Sequence, residues 1–239
     1  MSKTAKPSAA KPAAKPAKAA AKPRKAAKPD PARIRAIFEH LHASNPEPKG
    51  ELEHVNPYTL LVAVVLSAQA TDAGVNKATR ALFKVADTPE KMVALGEDTV
   101  RDYIKTIGLF RNKAKNVIAL SERLIAEYGS AVPADRDELT KLPGVGRKTA
   151  NVVLNMAFGQ KTMAVDTHVH RVAHRLCLSQ GKTPEAVEMD LMKVIPDDFL
   201  YHAHHWLILH GRYTCLARKP RCGLCVIADL CTSADKIAG

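Results

Sequence analysis

The stretch from Glu138 to Phe158 reads ELTKLPGVGRKTANVVLNMAF, and it decides the fold. Two helix-forming segments, DRDELTKL and KTANVVLNMAF, are separated only by PGVGR, a link that suits two neighbouring helices. Gly144 and Gly146 admit backbone angles and close approaches that a side chain obstructs, while Val145 between them can pack back against the helices. The N–H groups at the start of the second helix would then point outward, where they suit a phosphate. Such a helix-hairpin-helix grips a nucleic-acid backbone without reading its sequence. A plain interhelical turn is the alternative.

Working outward, the rest of the chain also reads as helix. After Pro31, the residues Ile34, Ile37, Phe38 and Leu41 form a stripe of helical period. NPYTLLVAVVLSAQATD predicts a buried helix ending near Gln69, and TDAGVNKATRALFKVA predicts another with Asp72 near its start. Two shorter helices are expected at PEKMVALG and DTVRDYIKTIG, then a longer one closed by Gly129. Beyond the hairpin, a helix is expected after Asp166 or Thr167, with Val169, Val172 and Leu176 on its apolar face. Further helices surround PEAVEMDLMKVI and YHAHHWLILHGRYTC. No segment alternates with period two, so the body is read as all-α, with a bipartite division near Gly159.

The 239 residues carry a net charge of +12, which favours an anionic partner. Met1 to Pro29 holds eight lysines, one arginine and no acidic residue, with proline recurring every few positions. This segment reads as a disordered tail that solubilises the protein, holds DNA phosphates, or is cleaved as a targeting peptide. No run of eighteen apolar residues occurs, so no membrane span is expected.

Lys148 directly follows the glycine turn. In the first turn of a helix, the aligned peptide dipoles disfavour a protonated amine, and partial burial would add to that effect. That suits a nucleophile, which could attack C1′ of a damaged nucleoside and leave an imine. The competing reading is another phosphate-facing cation beside Arg147. Asp166, eighteen residues downstream in AVDTHVHR, could stabilise the sugar cation and orient the amine. It could also serve only as a helix cap. His168, His170 and His174 lack the accompanying ligands of a metal motif and read as surface or packing residues.

Cys215, Cys222, Cys225 and Cys231 fall within seventeen residues, spaced C-x6-C-x2-C-x5-C. Four thiolates suit zinc or an iron–sulfur cluster, and the presence of only one tight pair favours [4Fe–4S]. No thiolate position is left open for a reacting water, so the centre is read as a structural staple. Cys177 reads as a small core residue.

The motifs LSAQATD, GLFRNKAKNV, LPGVGRKTANVVL, VDTHVHRV and the four-cysteine tail together resemble the endonuclease III family of DNA glycosylases, in their family order from about Pro31 onward. The resemblance implies two helical domains with a DNA cleft between them. Residues 50–160 would form a six-helix barrel with the hairpin at 136–158; residues 30–49 and 161–239 would form the cluster domain. It also implies that Lys148 is the nucleophile and Asp166 the catalytic carboxylate, with the four cysteines holding a [4Fe–4S] cluster. Gln69 would fill the gap left by a flipped nucleotide, and Leu109 would wedge into the opposite strand. Gly144, Val145, Gly146 and Arg147 would contact the DNA backbone. Phe110 stands where tyrosine is common in the family, a change that should spare the apolar packing.

The implied function is a bifunctional glycosylase and abasic-site lyase acting on oxidised pyrimidines in duplex DNA. The implied enzyme is a cytoplasmic monomer associated with chromosomal DNA, with no obligate protein partner. Three rivals share some of these features. An adenine glycosylase would lack the equivalent lysine, and a uracil or thymine mismatch enzyme would differ in pocket shape. A non-catalytic DNA-binding module would not need Lys148 and Asp166 together.

Overall fold

The computed structural model describes residues 30–237. The basic tail expected at residues 1–29 lies outside them. Ten α-helices follow one another among the described residues: α1 (Pro31–Ser44), α2 (Pro57–Leu66), α3 (Asp72–Val85), α4 (Pro89–Ile104), α5 (Phe110–Tyr128), α6 (Arg136–Lys141), α7 (Arg147–Phe158), α8 (Thr167–Arg175), α9 (Pro184–Val194) and α10 (Leu200–Tyr213). A single 3-10 turn lies at Cys222–Leu224, and no strand occurs among these residues.

Local chemistry sets the helix boundaries. Asp30, Asn56, Thr71, Thr88, Asp135, Asp166 and Thr183 each precede a helix and accept a backbone N–H with the side chain. Asn56 and Thr59 form a reciprocal capping box at α2. Gly129 and Gly159 end α5 and α7 in the left-handed conformation, at φ 55° and 66°.

Two boundaries differ from the sequence reading. The helix expected to reach Gln69 stops at Leu66, where the Ser67 hydroxyl donates to the Val64 carbonyl and the chain turns. The two short helices form one element, α4, bent at Gly96 with φ 77° and ψ 160°. Thr71 caps α3, which leaves the Asp72 carboxylate free for another partner.

Two apolar cores result. Nine of the ten residues of α2 are buried, as a helix apolar on every side requires, and α3, α5 and α7 pack against it. This first core draws on residues from Tyr58 to Leu154. The second joins α1 to α8, α9 and α10, and its centre is Phe38, Phe199 and Trp206, whose ring centroids lie 6.0–6.3 Å apart.

The chain crosses between the cores after α1 and again after α7. Both crossings are fastened by hydrogen bonds. The Trp206 indole donates to the Asn45 carbonyl at 2.8 Å, and Asn151 and Asn155 donate to the Met163 and Tyr201 carbonyls at 3.0 Å. Asp166 ends the second crossing and lies beside Lys148 of the first turn of α7.

Candidate active site

Leu142–Gly146 forms the tight link between α6 and α7. Gly144 has φ 78°, and a Cβ there would come within 2.9–3.3 Å of the Asn116 side chain, so this position requires glycine twice over. Val145 is buried and packs back into the first core. Gly146 has φ −95°, and a Cβ there would meet no protein atom within 4 Å. The fold therefore does not need glycine at 146; the bare backbone matters only to something approaching from outside. The first N–H groups of α7 have no side-chain cap.

Arg147 begins α7, but its side chain is committed elsewhere. Its guanidinium donates twice to Glu188 on α9, at 2.7 and 2.8 Å, and Arg136 approaches the same carboxylate at 3.4 Å. Glu188 is 7% exposed, so Arg147 cross-links the two cores with a buried carboxylate.

Lys148 follows, its side chain 52% exposed, more than the sequence reading expects. The chain reverses after Gly159 and brings Asp166 back beside it, with Nζ 4.0 Å from Oδ2. Asp166 has separate work for its two oxygens. Oδ1 accepts the His168 and Val169 N–H groups at 2.8 Å each and caps α8, which leaves Oδ2 to face the amine. Capping and facing Lys148 are thus two halves of one geometry. His170 and His174 stack on each other at 4.3 Å, away from these roles.

Lys148 lines a pocket shared by both cores, together with Ser67, Asp72, His204, His205 and Arg212. Arg212, on α10, donates to Asp72 on α3 and to Glu51 in the first crossing, and the Tyr213 hydroxyl also donates to Glu51. His204 and His205 are 4% and 6% exposed. Burial, with each ring's charge opposing a neighbouring histidine, pulls their pKa values down to about 3 and about 4. Both imidazoles are therefore neutral near pH 7.

Two exposed turns approach each other nearby. Gln69 has φ 53° and Leu109 has φ 58°, both left-handed and without glycine's freedom, and Leu109 is 56% exposed. A Cβ on Gly108 would lie 3.7 Å from the Gln69 carbonyl oxygen, so the two turns are neighbours. The Gln69 turn begins at Ser67, on the pocket wall. A polar amide and an apolar side chain are thus offered side by side.

Cys215, Cys222, Cys225 and Cys231 line one pocket beneath α8 and α10, with Arg175 and His210. Arg175 donates to Cys215 Sγ at 3.3 Å and to the Leu216 carbonyl at 2.6 Å. Burial pushes the Cys225 thiol up from its ordinary value, a penalty that ligation to a metal removes. Among the described residues, no three His, Cys, Asp or Glu side chains converge as a single metal ion requires. The donor set fits an iron–sulfur cluster: four soft sulfurs around one enclosed space. Cys177 is not the core residue expected. It is partly exposed in a left-handed turn after α8, at φ 54°.

The sequence reading passes over Glu51, Asp72, His204 and His205 as functional residues. The only hint is the pair of adjacent histidines inside the otherwise apolar run of α10.

Known proteins share this arrangement. Residues 62–197 match the HhH-GPD superfamily of base excision DNA repair proteins, and residues 215–231 match the iron-sulfur binding domain of endonuclease III. Endonuclease III of Treponema pallidum (strain Nichols) is 61% identical over 83% of this chain and 94% of its own length. That of Escherichia coli (strain K12) is 55% identical over 84% and 95%. Two solved structures, a trapped endonuclease III–DNA covalent intermediate and a non-covalent endonuclease III–DNA complex, align with TM-scores of 0.79 at 46% identity. They cover 85% of this chain and 96% and 95% of theirs. From the glycine hairpin to the cysteine loop, this chain belongs to the endonuclease III family of the HhH-GPD superfamily.

Proposed function

We propose that this protein is a bifunctional DNA glycosylase and abasic-site lyase of base excision repair, which removes oxidised pyrimidines from duplex DNA. The observation that carries the reading is the Lys148 amine 4.0 Å from Asp166 Oδ2, on the wall of a pocket between the two cores. A base stacked in a duplex cannot reach that amine, so the nucleotide must be extruded. Gln69 fills the gap that extrusion leaves, and Leu109 presses into the opposite strand. The hairpin N–H groups around Gly144, Val145 and Gly146, with that of Arg147, hold the backbone phosphate.

The unprotonated amine of Lys148 attacks C1′ as the C1′–N bond breaks, and the base leaves with the bonding electrons and with the proton that the attacking amine gives up by way of Asp166. Asp166 stabilises the cationic sugar and takes a proton from the attacking amine. Ring opening leaves an imine between Lys148 and C1′, which acidifies the C2′ hydrogen. Loss of that proton forms a C2′–C3′ double bond and expels the 3′ phosphate, cutting the strand. Water then hydrolyses the imine and restores Lys148.

Cys215, Cys222, Cys225 and Cys231 would hold a [4Fe–4S] cluster. When bound, it would supply iron–thiolate bonds that tie residues 215–231 to one another, a segment whose buried aliphatic residue is Ile227 alone. The partner is damaged double-stranded DNA, and a monomer suffices because one cleft encloses one nucleotide. We place the enzyme in the cytoplasm on chromosomal DNA. Among the described residues, no helix is long and apolar enough to cross a membrane.

The test uses a duplex with one thymine glycol, treated with borohydride during the reaction. Wild type should form a covalent protein–DNA adduct and Lys148→Ala should not. Absence of an adduct from folded, DNA-binding wild type would overturn the assignment.

A further inference from the structure

We infer that His205 determines specificity, its imidazole reading the hydrogen-bonding edge of the extruded pyrimidine. The inference rests on the glycosylase function proposed above.

The pocket is defined by Lys148. For its amine to reach C1′, the base attached to that carbon must occupy the adjoining space, which His204 and His205 also line. His205 is 6% exposed, yet neither Nδ1 nor Nε2 has a hydrogen-bond partner among the described residues. In His204 only Nδ1 is a fully buried atom without a partner. Two unmet polar atoms on one buried ring disfavour the free state, and an apolar side chain of similar size would fill the space without that cost. A packing role alone therefore does not account for histidine at 205.

Gly50 lets this wall close on the ring: a Cβ there would sit 3.5 Å from His205 Nε2 and collide with Met156 Cε at 2.7 Å, and both Gly50 and Met156 line the same pocket.

The neutral ring offers one N–H donor and one acceptor, and the two can exchange places by tautomerisation. Thymine- and uracil-type lesions present an N3–H between two carbonyl oxygens. Cytosine-type lesions present a bare N3 beside an amino group. A ring that can donate or accept at the same nitrogen meets either edge, whereas a fixed amide or guanidinium meets one. The ligand class is thus a pyrimidine with its 3,4-edge intact, of either parentage.

The test compares single-turnover excision of 5,6-dihydrothymine with that of its N3-methyl derivative, alongside cleavage of a preformed abasic site. It uses the cluster-loaded full chain and His205→Phe. Wild type should excise the N3-methyl lesion at least tenfold more slowly than its parent. His205→Phe should excise both lesions at one slow rate while cleaving the abasic site within threefold of wild type. Equal excision of both lesions by wild type, which requires no variant to fold, would overturn the inference. So would a variant that still discriminates, or one in which abasic-site cleavage falls as far as excision. Inactivity of wild type on all three duplexes would remove the function itself, and the inference with it.

Discussion

Replacing Asp166 by asparagine and by alanine separates the two roles of one side chain. Oδ1 accepts two N–H groups at 2.8 Å, and an asparagine carbonyl can accept both from the same place. Asp166→Asn should therefore stay within a few tenths of a kcal/mol, while Asp166→Ala loses the cap at about 1 kcal/mol. For a chain of this size, that lowers Tm by about 2–4 °C. The ion pair adds little to this difference in the free protein. At 4.0 Å with Lys148 half-exposed, it contributes at most about 1 kcal/mol. Under a covering duplex the effective dielectric constant falls toward ~20, and the same separation gives about 4 kcal/mol of Coulomb interaction. The energy of the pair is thus largely withheld until DNA is bound. Both variants should lose about 10²- to 10⁴-fold in single-turnover excision, the range for removing a positioned acid–base group. The assay is thermal melting of each variant together with excision of thymine glycol at saturating enzyme. If Asp166→Asn excises within fivefold of wild type, Asp166 is only a cap and the reasoning fails.

Three further outcomes follow from the same geometry. Gly144→Ala should destabilise the fold by about 1 kcal/mol or more from its left-handed backbone and the Asn116 contact, whereas Gly146→Ala should leave Tm unchanged and weaken DNA binding; urea melts and anisotropy titrations check the pair. His204 and His205 have folded pKa values of about 3 and about 4, below the ordinary value of 6.5, so the unfolded chain binds more protons in between. Stability should be complete above about pH 6.5 and fall as pH drops toward 4, and His205→Phe should flatten that fall in calorimetric scans taken across the window. Cys222→Ala should lose the visible absorption of the cluster and leave residues 215–231 open to protease, while α2 to α7 stay protected, because the first core draws nothing from that loop.

The hairpin was legible because its constraints are local. A left-handed position next to a helix start calls for glycine, and Gly144 stands there. Helix starts were legible for the same reason, since Asp, Asn and Thr declare caps within three residues. The pairing of Lys148 with Asp166 needed only one chain reversal at Gly159. The ion pair of Arg147 was not legible because its partner Glu188 lies 41 residues away on another core, and nothing local announces a buried carboxylate there. Arg212 with Asp72 spans 140 residues and could not be read at all. The histidines of α10 escaped notice because helical period alone does not say which side of a largely buried helix meets a pocket.

The placement of α1 has a consequence for synthesis. Its apolar stripe of Ile34, Ile37, Phe38 and Leu41 belongs to the second core, whose other aromatic members are Phe199 and Trp206. On a ribosome, α1 emerges first and waits while more than 150 residues are added before those partners appear. The first core, contiguous in sequence, can close in the meantime. A nascent chain thus holds a greasy N-terminal helix with nowhere to dock, and the last segment made both receives that helix and completes the cysteine set. Maturation is ordered by the topology: grip first, then the half that receives the metal, with α1 the stretch a chaperone would guard in between.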